Sequence, residues 1–145
     1  MTAKAPPVTP ETLEAALSKA ENSFDSHRNI LEMLFNARVY VVLDRPWSGG
    51  GMPNKEIQVM MVSDGGNREQ PMLALFTSPD KPESIARGDS LFQYTAEVEA
   101  RWALLKTDQQ TGIVINPTTI PTFRILPEMA CKLRALAEQY LASHL

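Results

Sequence analysis

Apolar residues along this chain gather into short, nearly unbroken runs that stop abruptly. Met72, Leu73, Ala74, Leu75 and Phe76 lead straight into Thr77, Ser78 and Pro79, and Gly112, Ile113, Val114 and Ile115 lead straight into Asn116 and Pro117. A continuous apolar run of strand length predicts a strand covered on both faces. Arg38, Val39, Tyr40, Val41, Val42 and Leu43 are β-branched, aromatic or aliphatic after the first position and predict a central strand. Residues 56–62 predict another strand. Ser63, Asp64, Gly65, Gly66 and Asn67 predict a turn that returns the chain through 70–76 as an antiparallel hairpin. A weaker extended piece covers 122–125.

Helical spacing occupies the flanks. Thr9, Pro10 and Glu11 form a helix start, with a capping hydroxyl, proline at the first helical position and an acid in the first turn. Leu13, Ala16, Leu17 and Ala20 follow at helical spacing. Ile30, Leu31, Leu34 and Phe35 mark a second stretch that Asn36 stops; one kinked helix and two separate helices both fit. A short helix is expected over 81–87, ending at Gly88. Residues 91–95 fit either a short strand or the lead into a helix, and Val98, Trp102 and Leu105 then recur at helical spacing. Pro127 opens a last helix, with Met129, Leu133, Leu136, Ala137, Tyr140 and Leu141 as its apolar stripe. Together these elements predict a mixed α/β (α+β) fold: a single mixed sheet of about five strands containing an antiparallel hairpin, with helices on both faces and a C-terminal amphipathic helix. Residues 1–8 read as a flexible tail and 9–145 as one domain.

Composition narrows the function classes. A hydrophobic content of 43% and a charged content of 21% belong to a globular chain, not a disordered one. The formal net charge of −3, with no Lys/Arg cluster, argues against nucleic acid as the main partner. A single cysteine, Cys131, excludes an intrachain disulfide and an all-cysteine metal site; on the last helix it is expected to be a buried, inert thiol. Residues 1–7 do not read as a secretory signal, and no run approaches the ~18 apolar residues of a membrane span, so a cytoplasmic location is expected. No cofactor or metal is expected.

The ordered pieces resemble the N-terminal domain of the SseB (enhanced serine sensitivity protein B) family of bacteria. A helical lead-in precedes the 38–43 strand, and a glycine-bearing hairpin ends in Phe76, Thr77 and Ser78. A variable helical stretch then leads to Gly112 through Pro117, and an extended piece rises to Ile125, Leu126 and Pro127. The resemblance covers roughly residues 26–141, and the loop of Trp47, Ser48 and Gly49 to Gly51 has no counterpart in it. Members often carry a second, C-terminal domain, which is not expected within these 145 residues. The resemblance implies an α/β domain with a regulatory or protein-binding role and brings no catalytic residues with it.

Candidate chemistry lies at the strand ends. Thr77 and Ser78 could act as nucleophile or ligand hydroxyls, but a serine nucleophile needs a nearby base, and only His27 and His144 are imidazoles. Capping of the following helix is the simpler role. Asn116 before Pro117 predicts a turn that satisfies nearby backbone groups; at a strand end it could also face a shared cleft with Ser78. Trp47 lies in a glycine-rich loop that lacks the lysine of a phosphate loop, and suits a protein contact. Arg38 and Arg124 sit on extended segments and would bind a carboxylate or phosphate if they converged; otherwise each points outward or pairs with an acid such as Asp44. Glu97 and Glu99 are expected on a helix, on different faces. The function expected is a non-enzymatic interaction or regulatory domain holding a protein partner. The alternative is a ligand or enzyme pocket near Ser78 and Asn116.

Overall fold

The computed structural model describes residues 8–19, 24–46, 57–64, 67–80, 92, 94–107, 111–117 and 122–143. Helix α1 (Pro10–Lys19) starts as its sequence dictates: the Thr9 hydroxyl accepts the Thr12 N–H at 3.1 Å, and Pro10 takes the first turn. Helix α2 (Phe24–Phe35) ends at Asn36, whose side-chain amide donates to the Glu32 carbonyl at 3.2 Å. Strands β1 (Arg38–Leu43), β2 (Met61–Asp64), β3 (Asn67–Leu75) and β4 (Tyr94–Glu99) follow. Helix α3 (Ala100–Leu104), strands β5 (Gly112–Ile115) and β6 (Phe123–Ile125), and helix α4 (Pro127–Ser143) complete the described order.

The six strands form two sheets where one was expected. β1 pairs antiparallel with β4, and the other four run in the order β2-β3-β5-β6. Within the larger sheet β3 and β5 are parallel and the remaining pairs antiparallel. A seam joins the two sheets. Tyr40 and Phe76 exchange both backbone hydrogen bonds at 2.8 Å, Leu43 bridges Val59, and the Met60 N–H reaches the Val42 carbonyl at 2.8 Å. The segment before β2 therefore pairs with β1, and β2 itself pairs with β3. That change of partner splits what the hydrophobic pattern presents as one sheet.

Alternation along each strand assigns the two faces. Val39, Val41 and Leu43 of β1, Leu73 and Leu75 of β3, and Ile113 and Ile115 of β5 enter the main core. There they meet Leu13 and Leu17 of α1, Ile30 and Leu34 of α2, Trp102 and Leu104 of α3, and Leu133 and Ala137 of α4. The opposite face carries a smaller cluster of Val42, Met60, Ala74 and Phe76, with Tyr40, Val62 and Phe92 packed against it. Among the described residues all four helices share the main core, and the second face is closed by side chains, not by helices. The short helix expected over 81–87 lies outside the described residues.

Two helical readings change. Val98 belongs to β4, because the outer edge of β1 takes Val98 opposite Val39 and Ala96 opposite Val41; the helix starts only at Ala100. Glu97 and Glu99 are thus two apart on a strand and share a face. On α4 the buried positions are Ala130, Leu133 and Ala137, while Met129 is 37% and Leu136 50% exposed. The apolar stripe is wider than the sheet can cover, so its Met129–Leu136 edge faces out. Cys131 is half-buried and unbridged. Arg101 of α3 ties this helix to α2: its guanidinium lies 3.9 Å from the Tyr140 ring and 5.3 Å from that of Phe35.

Candidate functional site

Because β3 and β5 are adjacent and parallel, their polar exits emerge side by side. Met72 opposes Gly112 and Leu75 opposes Ile115, which brings Thr77 and Asn116 together just beyond the ladder. The Asn116 side-chain carbonyl accepts the Thr77 N–H at 2.9 Å, and its amide donates to the Thr77 hydroxyl at 2.9 Å. That hydroxyl has one proton, and the 2.7 Å contact with Glu14 Oε1 takes it. The Asn116 N–H extends the ladder to the Leu75 carbonyl at 2.7 Å, and its carbonyl accepts from the Thr122 hydroxyl at 3.0 Å. Asn116 holds φ at 57°, a left-handed conformation that asparagine tolerates better than most residues. It is fully buried and Thr77 is 1% exposed.

The turn reading of Asn116 is therefore right in kind, but the backbone group it satisfies belongs to the neighbouring strand exit. Thr77 directs its hydroxyl to α1 and to Asn116, not into the turn at Pro79 and Asp80. Ser78, next in the chain, is half-buried. Glu14 is the member of this cluster that sequence reasoning missed. Its position beside Leu13 in an amphipathic helix reads as solvated surface, and only the folded chain brings it to a residue 63 positions away.

Arg38 and Arg124 lie on different sheets and do different things. Arg38 reaches across to β4, where Nε is 3.5 Å from Glu97 Oε1 and an Nη donates to the Glu97 carbonyl at 3.3 Å. Asp44 instead accepts the Gln58 N–H at 2.9 Å. Glu97 also stands opposite Tyr40. Burial, then the Glu97 and Glu11 carboxylates, push the Tyr40 phenol above its ordinary value, and Arg38 partly offsets them. A phenol whose folded pKa lies above the unfolded one contributes stability that is complete below about 10 and lost as pH rises through the folded value. Alkaline titration followed by phenolate absorbance is expected to show a late step that is removed by Tyr40→Phe. Glu97→Gln should move that step down only in part, because burial is the larger cause. Titration with no late step contradicts this reading.

Arg124 borders a groove of about 680 Å³ between α2, β6 and the start of α4. Leu31, Phe123, Leu126 and Met129 give it mainly apolar walls, and His27 stands edge-on to Phe123 at 5.2 Å. Arg28, Arg124 and Lys132 surround it, with Glu128 as the one acid among its lining residues. Leu126 is 62% exposed, so the groove opens to solvent. Of the six binding candidates Arg38, Trp47, Thr77, Ser78, Asn116 and Arg124, Arg124 lines it, as does the imidazole of His27, and Trp47 lies outside the described residues. For Met129 the excess width of the apolar stripe on α4 was the available signal.

The chain is a mixed α/β domain with a sealed polar knot at its parallel strand exits and an open, cation-rimmed apolar groove on one side. The SseB protein N-terminal domain family matches it over residues 13–129, and the chain belongs to that family. None of the curated proteins and none of the solved structures matches it.

Proposed function

We propose that this SseB-family domain is a non-enzymatic interaction or regulatory module of the bacterial cytoplasm that holds a protein partner in the groove between α2, β6 and α4. The observation that carries the reading is the pair of exposed apolar side chains Leu126 and Met129 in the wall of that groove, with exposed Leu136 about two turns beyond Met129 on α4. Scattered exposed apolar residues are ordinary, whereas a contiguous patch beside a concave surface is the usual form of a contact site. No described helix is long and apolar enough to cross a membrane. The polar atoms of Thr77 and Asn116 are engaged with each other, with Glu14 and with neighbouring backbone, which favours the groove over the strand exits as the contact surface.

The test is site-specific photocrosslinking in the native host. A photoreactive phenylalanine at Met129 is expected to yield a discrete protein adduct, and one at Tyr94, exposed on β4, to yield none. Adducts absent from Met129, or equal at both positions, overturn the reading.

A further inference from the structure

We propose that the occupant of the groove is an acidic amphipathic helix of a partner protein, an inference that rests on the docking role argued above. Charge selects the sign of the partner. The chain as a whole is acidic, with 17 Asp and Glu against 14 Lys and Arg. The groove reverses that balance, with Arg28, Arg124 and Lys132 against Glu128 alone among its lining residues. Arg28 also pairs with Glu32 at 3.4 Å, but both side chains are about two-thirds exposed, so water screens that pair and an incoming carboxylate can compete for it.

Shape selects a helix over a strand. β6 is an edge strand of three residues, about 10 Å of ladder, too little to hold an added strand by backbone hydrogen bonds alone. The apolar line instead follows α4. Met129, Lys132 and Leu136 fall on one face at spacings of three and four, and with Leu126 the line runs about 15 Å. A helix of about three turns matches that length, with apolar anchors at positions such as i, i+3 and i+10, or i, i+7 and i+10 in the opposite direction, resting against Leu126, Met129 and Leu136. Asp or Glu on its flanks would meet Arg124 and Lys132. Met129, flexible and polarizable, can adapt to the anchor that reaches it.

A phage-displayed library of random peptides about four to five helical turns long, selected on the intact chain, tests this directly. The expected winners are net acidic with apolar residues at helical spacing. The same peptides made synthetically should bind about tenfold or more weakly to the Arg124→Glu/Lys132→Glu variant, and progressively more weakly to the unmodified protein as NaCl is raised. Both replaced side chains are exposed, and the salt series needs no variant at all. Winners that are neutral or basic, that alternate as strands do, or that ignore both charge reversal and salt overturn the acidic helix. If such peptides are still blocked by Met129→Glu, the groove remains a docking site and only the nature of the partner is wrong. If binding ignores Met129→Glu as well, or no peptide is enriched, the docking role falls with it. A concentration-dependent dimer abolished by Met129→Glu names a second copy of this chain as the occupant and also overturns the proposal.

Discussion

Replacing Asn116 with alanine is expected to lower the unfolding free energy by about 3 kcal/mol, read as a reduced midpoint in urea. Two effects add. The Thr77 N–H, fully buried at the strand exit, loses its acceptor, and an unsatisfied buried donor costs about 1–3 kcal/mol. Alanine must also adopt φ near 57°, where its Cβ crowds the backbone at a cost of about 1–2 kcal/mol. Asn116→Gly separates the two effects, because glycine accepts that φ without strain; it should recover about 1 kcal/mol of the loss. Thr77→Val removes the hydroxyl that links Asn116 to Glu14 and should cost about 1–2 kcal/mol. The double variant should lose less than the sum, since the two side chains share their bonds. An Asn116→Ala protein within about 0.5 kcal/mol of the parent, inside the range of ordinary surface changes, would show that the knot is dispensable.

Phe76→Ala is expected to cost about 3–5 kcal/mol. Phe76 is fully buried and the largest side chain of the small cluster that closes the second face, where Val42, Met60 and Ala74 surround it. Alanine would leave a void among side chains that no described helix can shift to fill. The ring also sits on the residue whose backbone bridges to Tyr40, so loosening it weakens the seam between the two sheets. Phe76→Leu keeps most of the volume and should cost clearly less. A Phe76→Ala protein as stable as the parent would mean that this cluster is not packed against its neighbours. Total stabilities of roughly 5–15 kcal/mol make either loss large enough to change the folded population.

Much of the fold is legible because its determinants are local. The Thr9 cap, the Asn36 stop and the start of α4 at Pro127 each depend on residues within one turn of one another, and each falls where the sequence predicts it. The strands at 38–43 and 112–115 are readable because strand burial leaves a direct trace in composition. β4 escaped because Val98, Trp102 and Leu105 fit a helix as well as a strand followed by one. The exposed edge of β1 decided the matter, and that edge exists only after folding. The second sheet escaped for a related reason: a change of pairing partner before β2 leaves no mark on hydrophobicity.

The polar knot at the strand exits was legible in part. Thr77 and Asn116 announce themselves as polar residues that end apolar strands, and the parallel pairing of β3 with β5 brings them into contact. Glu14 could not be read, since nothing in a helix sequence says which distant hydroxyl its carboxylate will meet. The groove was hidden for the same reason, because His27 and Leu31 come from α2 while Phe123 and Met129 come from the other end of the chain.

By itself the amino-acid sequence determined most of the strands and helices, β4 excepted, the polar strand exits and the SseB family, because propensity, capping and burial period act over a few neighbouring residues. Only the tertiary structure decided the split sheet, the Glu14–Thr77–Asn116 knot and the cation-rimmed groove. Each of those depends on which distant segments share a surface, and that is set by the competition of all pairings at once.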